Sequence, residues 1–239
     1  MNIAVIFAGG IGSRMKTKDG TPKQFLEIDG VPILIHTLRN FQNCEKIDKI
    51  VIAMKEGYID RTKGLLDKYK MTKVARLVLG GATGQESIYH GLLAAKEISE
   101  SDKDIVLIHD GVRPFIDDEL IRKNIETVEE KGSSISCVKT TETFLVVDDD
   151  GNVKEIPARD RSIVAKAPQC FYLKDILEAH EKTLAEGIHD SIDSCTLIYR
   201  YRKDLAVVMT DYDNIKITTP KDMFLAESIY QKRQEDVQK

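Results

Sequence analysis

Three glycines and an arginine follow the first apolar run of the chain, in Ala8-Gly9-Gly10-Ile11-Gly12-Ser13-Arg14-Met15. Glycines let a backbone turn sharply and aim its N–H groups at an anion, so Gly9, Gly10 and Gly12 read as a phosphate cradle. A tight strand-to-helix turn is the plainer reading, and glycine content alone does not separate the two. Arg14 and Lys23, the latter in Pro22-Lys23-Gln24, tip the balance, because a structural turn needs neither a planar guanidinium fork nor a second cation. Met15 stands where a G-x-G-x-x-G fingerprint requires its third glycine, which disfavours a dinucleotide-dependent oxidoreductase. No Gly-Lys dipeptide occurs, so the P-loop of ATPases is absent.

A second group of reactive types is Ile108-His109-Asp110-Gly111-Val112-Arg113-Pro114. Ligands of open parallel sheets sit beyond the carboxyl ends of strands, where Asp110 falls. Its hard carboxylate suits Mg²⁺ beside phosphates, and the competing reading is a helix cap or a partner for Arg113. His109 reads as a buried, hydrogen-bonded strand-end residue. Gly80-Gly81-Ala82-Thr83 is a turn that can also present backbone groups to a base. Near the end, Lys216 alternates with Ile215 and Ile217 and so faces away from them across a strand. It is either a solvated edge lysine or, beside Asp213 and Asn214, part of a phosphate site.

These residues need elements to hold them. Runs rich in Val, Ile and Leu at Ile3–Phe7, Ile47–Ala53, Val74–Leu79, Ile105–Ile108 and Ser134–Val138 predict strands covered on both faces. Helical spacing recurs between them at Pro32–Phe41, Ile59–Lys70, Gln85–Ile98 and Asp117–Glu130. The alternation predicts an α/β fold with a mostly parallel central sheet flanked by helices. Thr143–Val147 and Val153–Ile156, joined by Asp148-Asp149-Asp150-Gly151-Asn152, predict a hairpin, taken as a protruding β-arm over residues 141–158. Helix Lys174–Ala185, strands Leu205–Met209 and Ile215–Thr218, and a helix from Pro220 complete the pattern, with a frayed polar end at Gln231–Lys239. One domain over residues 1–239 is expected.

Composition narrows the function. The chain has 239 residues, 42% of them hydrophobic and 31% charged, as in ordinary globular proteins. A net charge of −4 argues against nucleic acid or anionic membrane surfaces as partners. No apolar run reaches the roughly 18 residues of a membrane span, and the first residues lack a basic leader, so a cytoplasmic protein is expected. Cys44, Cys137, Cys170 and Cys195 form no C-x-x-C pair.

With these segments together, the sequence resembles the cytidylyltransferases that join CMP to a polyol phosphate. Its two relevant branches act on 2-C-methyl-D-erythritol 4-phosphate and on ribitol 5-phosphate. The resemblance runs from Ala8-Gly9-Gly10 through Pro22-Lys23-Gln24, His109-Asp110, Arg113-Pro114 and Pro168-Gln169 to Asp213-Asn214-Ile215-Lys216. It implies a Rossmann-like nucleotidyltransferase domain whose arm pairs two copies into a homodimer. Arg14, Lys23 and Lys216 are then the catalytic cations. Ala8, Gly9, Gly10, Gly12, Gly81, Ser87 and Asp110 would hold the nucleotide. Arg113, Thr143, Arg159 and Asp193 would hold the polyol phosphate, and Asp110 and Asp213 the metal. CTP, a polyol phosphate and Mg²⁺ are the implied ligands. Wording such as Val112-Arg113-Pro114-Phe115 leans to the ribitol branch, which implies CDP-ribitol for cell-surface polymers such as teichoic acid. The sequence departs from the family pattern at Gly84, Ala167 and Ile192–Ser194. The erythritol branch stays as the alternative. A nucleotide-sugar-dependent glycosyltransferase is the rival from another class; its Asp-x-Asp metal motif occurs in form at Asp148–Asp150 and Asp211–Asp213, but it has no need of Arg14 and Lys23 around a triphosphate. A non-catalytic nucleotide-binding protein is a further rival, disfavoured by Lys23, Asp110 and Lys216.

Overall fold

The computed structural model describes residues 1–10, 15, 17 and 20–237. In chain order the strands are β1 (Asn2–Ala8), β2 (Glu27–Ile28), β3 (Val31–Pro32), β4 (Lys49–Met54), β5 (Val74–Leu79), β6 (Ile105–Asp110), β7 (Ser133–Lys139), β8 (Val146–Val147), β9 (Val153–Glu155), β10 (Ile163–Tyr172) and β11 (Val207–Met209). The helices are α1 (Ile33–Asn43), α2 (Ile59–Lys68), α3 (Gly84–Ile98), α4 (Asp118–Lys131), α5 (Leu173–Ala185), α6 (Ser194–Tyr199) and α7 (Pro220–Val237). Seven strands form one sheet in the order β11-β7-β10-β6-β1-β4-β5. β1 lies parallel between β4 and β6, and β11 is parallel to β7. Only β10 runs antiparallel, to both β6 and β7.

Alternation within β1 explains its uninterrupted apolar sequence. Ala4 and Ile6 face a core built with Leu34, Leu38 and Phe41 of α1 and Ile121 and Ile125 of α4. Ile3 and Val5 face the opposite core, with Leu92 of α3, Ile176 of α5 and Leu197 of α6. Two helical layers therefore cover the sheet, as the buried runs require. A third cluster seats Ala226 and Ile229 of α7 on Val112, Phe115 and Ile217.

The structure corrects the sequence reading in four places. β10 was not expected, because Lys166, Pro168 and Gln169 interrupt its apolar pattern, and its pairing with β7 shifts between Ala165 and Gln169. α6 has only six residues, too short for periodicity to show. Ile215–Thr218 is not a strand; Ile217 donates its N–H to the Val112 carbonyl at 3.0 Å, so this stretch packs against the loop after β6. The polar end is not frayed through its described length, since α7 continues to Val237. The predicted hairpin is present with shorter strands, Val146 opposite Glu155 and Val147 opposite Val153. Asp148 closes its turn by accepting the N–H of Asn152 at 2.8 Å.

Candidate nucleotide site

The carboxyl ends of β1, β4, β5 and β6 open into a cleft of about 530 Å³. Ala8, Gly9 and Gly10 line it at the end of β1, Gly81 to Gly84 after β5, and Asp110 and Val112 after β6. Lys23, Lys55 and Lys216 add cations from three other segments. A second groove, of about 480 Å³ beside α7, offers Asp29, Glu227 and Glu235 and no lysine or arginine, which suits no phosphate.

Close backbone approach shapes the nucleotide wall. Thr83 caps α3 by accepting the Glu86 N–H at 3.1 Å, and Glu86 reaches back to the Ala82 N–H at 2.6 Å. A Cβ on Gly81 would meet the Glu86 side chain at 2.1 Å, so only glycine permits that return. Ser87 is buried and accepts the Gly81 N–H at 3.0 Å while donating to the Thr83 carbonyl at 2.9 Å. A Cβ on Gly80 would stand 2.9 Å from the same hydroxyl. The turn is thus fixed before a ligand arrives. On the other wall, Gln24, 1% exposed, donates to the Ala8 carbonyl at 2.9 Å and ties the Lys23 turn to the end of β1.

Asp110 forms the floor. Its Oδ1 meets Lys216 Nζ at 2.5 Å and its Oδ2 meets Arg113 Nε at 2.7 Å. Burial alone pushes this carboxyl up, but the two cations outweigh it and hold it down to about 2. Arg113 is buried as well, and its Nη1 donates to the Asn214 carbonyl at 3.0 Å. Asn214 in turn donates Nδ2 to the Ala167 carbonyl at 2.7 Å. His109 is fully buried with Nε2 on the Arg113 carbonyl at 3.0 Å, and burial lowers its pKa to about 4. A neutral histidine sealed in the core has no route to a substrate proton.

Of the residues expected from sequence, Ala8, Gly9, Gly10, Lys23, Gly81, Ser87, Asp110 and Lys216 meet in this cleft. Gly12 and Arg14 lie outside the described residues. Arg113 is not in the lining; it grips Asp110 from behind. Asp213 also stands outside the lining. Asp193 caps α6 through the Thr196 N–H at 2.7 Å and accepts from Gln169 at 2.9 Å. Thr143 and Arg159 are exposed at the arm, joined by a 3.0 Å hydrogen bond. Sequence reasoning missed Lys55, although its place immediately after β4 is where a site residue belongs. It also gave Gln24 no task of its own, since a buried tie to a carbonyl leaves no mark in sequence.

A family model described as IspD, 2-C-methyl-D-erythritol 4-phosphate cytidylyltransferase, matches residues 2–232. The chain belongs to the IspD family. Among IspD-family relatives, it is 47% identical to a protein of Streptococcus agalactiae serotype V named ribitol-5-phosphate cytidylyltransferase, over 99% of this chain and 98% of that one. It is 39% identical to a Clostridium novyi protein named 2-C-methyl-D-erythritol 4-phosphate cytidylyltransferase, over 95% of this chain and 96% of that one. The crystal structure of 4-diphosphocytidyl-2C-methyl-D-erythritol synthase from Anaerococcus prevotii superposes with a TM-score of 0.82 at 32% identity, covering 96% of each chain. The superposition extends over nearly the whole chain, so the mostly parallel sheet flanked by helices is a fold that the two share.

Proposed function

We propose that this chain is a CTP-dependent nucleotidyltransferase that moves CMP from CTP to D-ribitol 5-phosphate, giving CDP-ribitol and pyrophosphate. The observation that carries the acceptor is the higher identity to the ribitol-named relative, 47% against 39% for the erythritol-named one, both over nearly the whole chain. A phosphate oxygen of the acceptor forms a bond to the α-phosphorus of CTP, and the bond from that phosphorus to the bridging oxygen breaks to release pyrophosphate. The acceptor phosphate is already anionic, with a second pKa of about 6, so no base is needed to deprotonate it. Repulsion between two anions is the obstacle, and fixed positive charge is the remedy.

Lys23, Lys55 and Lys216 supply that charge from three walls of the cleft. The preformed Gly81–Ser87 turn offers backbone groups to the base and ribose. Mg²⁺ fits the donor set as a companion of the phosphates. Asp110 is ionised at the cleft floor, while no group of three acidic, histidine or cysteine side chains gathers among the described residues. Asp110 would hold the ion through one carboxylate, with substrate oxygens and water completing its shell. When bound, the ion would neutralise phosphate charge. We place the reaction in the cytoplasm, as a step toward a cell-surface polymer such as teichoic acid. The described helices include none long and apolar enough to cross a membrane.

The arm supports a homodimer. Leu145, Val147, Val153 and Ile156 are each more than half exposed on a two-stranded hairpin, which is marginal alone in water. A second copy covers them and places Thr143 and Arg159 at the neighbour's acceptor site. The test of the function is pyrophosphate release from CTP with ribitol 5-phosphate and Mg²⁺. Release supports the reading, and no release with any polyol phosphate overturns it.

A further inference from the structure

Around Asp110 the cations outnumber the acids. Arg113 and Lys216 share that one carboxylate. Lys166, outside the lining of the cleft, is a third cation, near enough to Arg113 for the two charges to repel. Lys166 is half-buried on β10, and its Nζ makes no hydrogen bond or ion pair among the described residues. Burial, and then Arg113, lower its pKa, and no carboxylate acts in the opposite direction.

Its position in the fold points to a use. Gln169 of β10 pairs with Ile108, near the carboxyl end of β6, and Lys166 lies further along β10, past that pairing. The next residue, Ala167, is tied through Asn214 to Arg113 by hydrogen bonds of 2.7 and 3.0 Å. In the other direction β10 leads back to Arg159 and the arm. Lys166 therefore stands between the Asp110 floor and the hairpin expected to reach the acceptor. A half-buried ammonium in the field of a guanidinium costs free energy, and an arriving anion offsets that cost. A lysine that merely packed its stem would extend its head to water and away from another cation.

We propose that Lys166 is a further contact for the phosphate of the acceptor. This rests on the cytidylyltransferase reading above and adds a residue to its acceptor side. The test compares steady-state kinetics and melting temperature of the wild type with Lys166→Met, Lys166→Gln and Lys166→Arg. Met and Gln should raise KM for ribitol 5-phosphate by about tenfold or more with KM for CTP within about twofold, and Arg should recover most of the loss. The melting temperature should not fall in any of them, because an uncompensated charge is removed or kept. Unchanged acceptor KM in Met and Gln, or equal rises for both substrates, overturns the contact while wild-type turnover leaves the function standing. A wild type inactive on every polyol phosphate overturns both.

Discussion

Lys216 Nζ lies 2.5 Å from Asp110 Oδ1, yet the two partners differ sharply in freedom, at 39% and 7% side-chain exposure. Lys216 can leave the carboxylate for a phosphate, whereas Arg113, 10% exposed, stays as its fixed counter-charge. Removing either member should therefore give different phenotypes. Lys216→Met should lower kcat by about 10²–10³, as loss of one preorganised donor does, and should cost less stability than losing the carboxylate, because Arg113 remains to hold Asp110 ionised. Asp110→Ala should destabilise by about 3–5 kcal/mol, because it leaves a buried guanidinium unpaired. Urea unfolding beside turnover checks the pair, and a stable Asp110→Ala protein contradicts it.

Lys23→Ala should cut kcat by about 10² with the fold intact, since it removes one of the three lysine charges that line the cleft. Circular dichroism and single-turnover kinetics on the same sample check this. Near-normal turnover contradicts the role.

Burial lowers the pKa of His180 to about 4, and neither ring nitrogen has a hydrogen-bond partner among the described residues. The unfolded chain takes up a proton near the ordinary value of 6.5 and the folded one only near 4. Stability is therefore full above 6.5 and falls as pH drops toward 4. His180→Phe, which keeps the stack on Tyr89, should flatten that fall, with a gain over wild type at pH 4.5 larger than at pH 7.5. Equal gains at both pH values contradict the assignment. Asp110 acts lower, its stability contribution present above the ordinary 3.8 and lost as pH falls through about 2.

Replacing Phe144–Val153 with a short Gly-Ser turn should weaken the proposed dimer and raise KM for the acceptor more than for CTP. Light scattering with kinetics reads both. A wild-type monomer with full activity at micromolar concentration contradicts the arm's role.

Much of the fold was legible because β1, β4 and β6 are buried on both faces and spell that in Val and Ile; Val74–Leu79, expected to be covered on both faces, is instead the half-exposed edge strand β5. β10 was hidden by the same residues that make it useful, since Lys166 and Gln169 are polar and Pro168 breaks the pattern. Lys216 was found for a partly mistaken reason: it does line the cleft, but on an extended loop held by Ile217 rather than on a strand. For Asp110 the sequence offered a helix cap or a pairing with Arg113 beside the metal reading, and the structure makes that pair at 2.7 Å. Contacts between distant segments, such as Gln24 with Ala8, leave no periodic signal to read.

The central claim is the identity of the acceptor. Purified protein given CTP, Mg²⁺ and an equimolar mixture of ribitol 5-phosphate and 2-C-methyl-D-erythritol 4-phosphate should form mainly CDP-ribitol, identified by mass. Mainly 4-diphosphocytidyl-2-C-methyl-D-erythritol in the same mixture would contradict it.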